Sequence, residues 1–161
     1  MFIPINLSGK MFLSLLIPMA IATSDCRAQI NDFRDILSTC IPNKTFVTKQ
    51  DGVQSERTFL GYIKDEKGKV IFYVCKEFYS IPAAIVQHGH SRILFFTREK
   101  RLASEYYLDD PAMLPYKLER GNLYFKYRRN GKELIRLVKI RRKLPIPICV
   151  APNNCYWPCK Q

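Results

Sequence analysis

Three groups of residues in this chain have types and spacings that chemistry could use. His88-Gly89-His90 is a His-x-His pair, a spacing that can place two imidazoles on one metal ion. Cys149, Cys155 and Cys159 lie close together near the C-terminus, as thiolate ligands or disulfide partners would. Between Lys117 and Lys143 the chain carries 11 Lys or Arg against two Glu, with Tyr116, Tyr124, Phe125 and Tyr127 interleaved. Cations and aromatic rings alternating along strands can hold phosphates or sulfates and stack on flat groups.

The histidine pair has no third or fourth ligand near it in sequence, so it is read as a polar turn, and no metal or cofactor is assigned. Glu105, Asp109 and Asp110 are carboxylates of the kind used in acid–base catalysis. Asp109-Asp110-Pro111 is better explained as turn chemistry, since Asp side chains bond their own backbone. The chain has no Gly-x-Ser-x-Gly elbow, no phosphate-cradling glycine loop and no His-Glu-x-x-His, so no catalytic residue is assigned.

The cysteines are decided by compartment. Lys10 precedes an apolar run, Met11–Ala22, that ends in Ala20-Ile21-Ala22, a small-x-small pattern of the kind signal peptidase accepts. The run is shorter than the ~20 residues a membrane-spanning helix needs. A cleaved leader over residues 1–22 and a secreted or periplasmic product with no transmembrane segment are therefore expected. Removing 22 of the 161 residues leaves 139, enough for one domain with a real core. A cut after Ala28 would discard Cys26 and leave an odd thiol, so a cut after Ala22 is preferred. In an oxidising compartment Cys26, Cys40, Cys75, Cys149, Cys155 and Cys159 are expected to form disulfides, with 15 pairings open. There is no Cys-x-x-Cys redox pair. Asn43-Lys44-Thr45 is a glycosylation sequon if the source is eukaryotic.

The elements that must hold these residues are mainly strands. Ile30, Phe33, Ile36 and Leu37 recur at helical spacing and predict one helix over residues 28–39, stopped by Ile41-Pro42. Cys26 and Cys40 bracket it, and ~21 Å of straight helix keeps them apart, so each is expected to bond elsewhere. From Thr45 onward, β-branched and aromatic runs alternate with turn signals near Gly68, Gly89, Lys100, Asp110, Gly121 and Gly131. The spacing leaves no room for crossover helices, so the expectation is an antiparallel meander of about eight strands, closed as a small barrel or folded as a sandwich. One strand is expected over Ala84–Gln87, with His88–His90 on a hairpin tip. Gly61, inside a strand, marks a bulge or corner.

Asn130-Gly131 is a strong hairpin signal, but its register stays open. A two-residue loop pairs Tyr127 with Leu134 and Phe125 with Arg136, whereas a three-residue loop pairs Phe125 with Ile135 and gives the better apolar face. The Pro- and Cys-rich tail, residues 144–161, is expected as an extended segment stapled to the β-rich domain of residues 23–143, with Trp157 held between Cys155 and Cys159.

The function expected from this reading is an exported, disulfide-stabilised, non-enzymatic binding protein. The partner would be anionic: a membrane surface, glycan, nucleic acid or acidic protein, as the net charge of +12 favours. Lys126, Arg128, Arg129, Arg136, Lys139, Arg141 and Arg142 would supply charge, and Tyr124 and Tyr127 stacking surface. The alternative is a small β-barrel carrier or inhibitor that uses its interior or loops, with the charge incidental.

Overall fold

The computed structural model describes residues 33–50, 52–81 and 88–159. The expected leader, Cys26, the first turns of the expected helix and the expected strand Ala84–Gln87 lie outside them.

Strands β1 (Thr45–Gln50), β2 (Val53–Lys64), β3 (Val70–Ile81), β4 (His88–Thr97) and β5 (Leu102–Leu108) form one antiparallel sheet in chain order. After a 3-10 turn at Pro111–Met113, strands β6 (Lys117–Glu119), β7 (Asn122–Arg129) and β8 (Lys132–Lys139) form a second sheet. Strands β9 (Ile148–Ala151) and β10 (Asn154–Tyr156) make a separate ribbon. The meander and the antiparallel pairing match the expectation. The barrel does not close, and the tail is a hairpin rather than a single extended segment. Pro147 and Pro152 flank β9 instead of interrupting it, which is how a proline-rich tail still makes ladder bonds.

The first sheet buries both of its faces. On one, Leu60, Ile63, Val74, Ile93, Phe95 and Tyr106 pack with Leu123 and Phe125 of β7 and Ile148 and Val150 of β9. On the other, helix α1 (Arg34–Thr39) and the preceding Phe33 lay Phe33, Ile36 and Leu37 over Phe59, Cys75, Leu94 and Phe96. The helix ends where Cys40 takes a left-handed backbone, φ 47°. Gly61, at φ 140°, accompanies the expected bulge, since Phe59 pairs with Cys75 but Gly61 with Val74. The extra residue resets the alternation, so Leu60 and Ile63 share the main core while Tyr62 is left 43% exposed.

His88, Gly89 and His90 lie within β4, paired with Ile81, Ser80 and Tyr79, and not on a hairpin tip. Gly89 is there for close approach: a Cβ at this position would fall 2.6 Å from the Phe78 ring.

Candidate functional site

The basic hairpin takes its shape from its turn. Asn130 and Gly131 adopt φ values of 50° and 75°, as a type I′ two-residue turn requires. The register follows: Arg129 faces Lys132, Tyr127 faces Leu134 and Phe125 faces Arg136. The turn overrides the register with more apolar pairs, and the cost is visible as exposed Leu134, Ile135 and Leu137. Near its base the hairpin is anchored by buried Leu123 and Phe125, but toward the turn it leaves the core and both faces meet solvent.

This register splits the predicted residues between the two faces. Tyr124, Lys126, Arg128 and Lys139 share the outer face with Ile135 and Leu137. Tyr127, Arg129 and Arg136 share the inner face. Arg141 and Arg142 follow the end of β8, past buried Ile140, and are exposed. The eight residues of β8 separate the cations at the tip from those at the base by ~23 Å, at ~3.3 Å per residue. The nine residues therefore do not form one patch.

Four of them, two from each face, border one groove. Lys126, Tyr127, Arg128 and Arg129 line a groove of about 890 Å³, whose opposite wall is the 3-10 turn with Asp110 and Met113 and the β9–β10 turn with Asn153 and Asn154. Asp110 caps the 3-10 turn, its Oδ1 accepting from the Ala112 N–H at 2.7 Å, which bears out its reading as turn chemistry. Lys126 pairs with Glu133 at 2.9 Å, and that carboxylate holds the lysine pKa above its ordinary range. Arg128 and Arg129 carry no ion pair among the described residues. On the outer face, Tyr116 and Tyr124 meet edge to face at 6.3 Å, with Lys126 over Tyr116 and Lys117 over Tyr124.

A second charged cluster went unread in the sequence. Under helix α1, buried Glu77 accepts from Arg57 Nε at 2.6 Å, from Ser55 Oγ at 3.1 Å and from Arg92 Nε. Arg92 Nη1 continues to Glu105 Oε2 at 2.9 Å. The Phe33 ring lies 5.4 Å from the Arg57 guanidinium and 6.0 Å from that of Arg92. Burial works against the Arg92 charge, but Glu77, with smaller help from Tyr107 and Glu105, raises its pKa further. Two cations thus meet two carboxylates. Glu105 serves as a structural counter-ion here, with its backbone carbonyl also taking the Cys159 N–H at 3.0 Å. The four charges lie in four separate strands, with Glu56 and Lys64 also in β2 and Lys76 also in β3, and the mutual register of the strands was needed to see them as neighbours.

The expected disulfide framework is realised at Cys149–Cys155, which join β9 to β10. Cys40, Cys75 and Cys159 are free, and Cys26 lies outside the described residues. Cys40 donates instead to the Leu37 carbonyl at 2.9 Å, and Cys75 is packed in the core beneath the helix. Trp157 is 65% exposed rather than held between cysteines. His90 is exposed and stacks on Tyr79 at 4.9 Å between centroids. Among the described residues no three His, Cys, Asp or Glu side chains converge as metal ligands, and no helix is long and apolar enough to cross a membrane.

Comparison with protein-family models, with curated proteins and with solved structures finds no match to this chain.

Proposed function

We propose that this is an exported, non-enzymatic binding protein that takes an anionic partner on its β7–β8 hairpin. The observation that carries the proposal is that Arg128 and Arg129, on opposite faces of β7, are both exposed, without ion pairs among the described residues, and border the 890 Å³ groove, the carboxylate across from Arg128, Glu133, being held by Lys126. A cation that has no carboxylate of its own retains its full attraction for an external anion. Export rests on the apolar run Met11–Ala22, and the Cys149–Cys155 bond is compatible with it. A carrier with a barrel lumen is less well supported, because the barrel is open and Phe95, Tyr106 and Phe125 fill the space between the layers.

The test is retention on immobilised heparin, used as a generic polyanion, for the native protein and for the double variant Arg128→Glu/Arg129→Glu. The variant is expected to elute at distinctly lower salt. Equal retention would remove these two residues from the site.

A further inference from the structure

We propose that β8 is a docking edge for an extended acidic polypeptide, which adds to the second sheet as a fourth strand. This rests on the anionic-partner reading above and specifies the partner's chemistry and conformation.

The first observation is an unpartnered ladder. β8 is the last strand of the order β6-β7-β8. In a hairpin closed by a two-residue turn, the residues flanking the turn bond to each other and every second pair thereafter does the same. Lys132, Leu134, Arg136 and Val138 therefore bond to β7, in line with the next bond along, Ile140 N–H to the Gly121 carbonyl at 2.8 Å. Glu133, Ile135, Leu137 and Lys139 point their N–H and C=O groups away from the sheet. Among the described residues these groups find no backbone partner. The edge of β5, by contrast, is covered: Tyr106 bridges to Pro158 and Cys159 bonds to Glu105.

The second observation is that β8 has none of the common structural blocks. It contains no proline, its pairing with β7 has no bulge, and three of its apolar side chains are exposed by 38–59%. Antiparallel pairing with a second copy through the same four outward residues would set Arg136 against its own copy on one face, where like charges directly opposite are destabilising, and Glu133 against Lys139 on the other. The same cations favour an acidic strand.

The third observation is the division of side chains. One face of β8 presents Lys132, Leu134 and Arg136, and the other presents Ile135 and Leu137 between Glu133 and Lys139. A partner strand with acidic residues at alternate positions and apolar residues between them would place carboxylates beside Lys132 and Arg136 and aliphatic groups beside Ile135 and Leu137.

The experiment compares two 12-residue peptides of equal charge, one alternating Glu and Val and one alternating Glu and Pro, on the full chain, with amide exchange read at β8. The Glu-Val peptide is expected to bind at least about tenfold more tightly, since the proline peptide lacks half of its donors. On binding, the Ile135 and Leu137 amides are expected to slow by more than about tenfold, with Leu134 and Arg136 slow throughout. Ile135→Pro removes an outward N–H that β7 does not use, and is expected to weaken the Glu-Val peptide while leaving heparin retention unchanged. Slow exchange at Ile135 and Leu137 in the free protein would show the edge already occupied and overturn the proposal. Equal binding of both peptides, weakened in each case by Arg128→Glu/Arg129→Glu, would overturn strand addition and leave the anionic-partner reading standing. Failure of both peptides and of heparin would remove both.

Discussion

Glu77 and Arg92 are direct cross-strand partners on β3 and β4, and their side chains are only 2–3% exposed. A buried ion pair adds little against an apolar pair of equal volume, but losing one partner strands the other charge. Glu77→Gln is therefore expected to lower the unfolding free energy by about 3–5 kcal/mol, because Arg57 and Arg92 bond to its two oxygens and both lose the charge they share. Urea denaturation at neutral pH measures it. A loss below about 1 kcal/mol would mean that water reaches the network.

Cys75 gives a pH signature. Burial, then the neighbouring Cys40 and Glu77, push its thiol far above the ordinary value of 9.0. Folding therefore favours the protonated thiol, and stability is expected to be flat below about pH 9 and to fall above it, as the unfolded thiol ionises and the folded one does not. The buried thiol should also resist iodoacetamide until the protein unfolds. Cys75→Ala should lose the first part of the alkaline slope, leaving the later part that raised Tyr106 and Tyr107 contribute. Rapid alkylation of Cys75 in the folded state would contradict the packing of helix α1.

The Cys149–Cys155 bond closes a short loop, with a sequence separation of 6, so its entropic contribution is modest. Replacing both cysteines by serine is expected to cost about 2 kcal/mol without unfolding the protein, since Ile148 and Val150 stay in the main core. Thermal unfolding with and without reductant should give the same shift for the native chain and none for the variant.

Gly89→Ala is expected to destabilise by about 1–3 kcal/mol, because the added Cβ meets the Phe78 ring at 2.6 Å. Phe78→Leu in the same chain should recover part of that loss. Additive costs in the double variant would place the clash elsewhere.

The meander was readable because turn residues punctuate it: Asn130-Gly131, Asp65–Gly68 and Gly121 stand where the strands reverse. Gly89 uses the same residue type for a different purpose, making room for an aromatic ring on the neighbouring strand, and this placed His88–His90 wrongly. The hairpin register was undecided for a related reason. Counting apolar pairs favoured one answer, and the backbone demands of two turn residues decided the other. Arg57, Glu77, Arg92 and Glu105 are spread over four strands, and no local pattern connects them before the strands are aligned. The basic segment was visible as composition, but its division into two faces and two ends depends on a single turn.

Residues 117–143 hold a net +9 of the chain's +12, carried by the second sheet and the four residues that follow it. The buried charges of the larger sheet cancel among themselves, so they add almost nothing to the far field. Positive charge is thus concentrated in one segment of the fold. A negatively charged surface, if it is the partner proposed above, would attract that segment first and favour encounters with the hairpin forward. Salt that shortens the reach of this field would slow capture more than it speeds release.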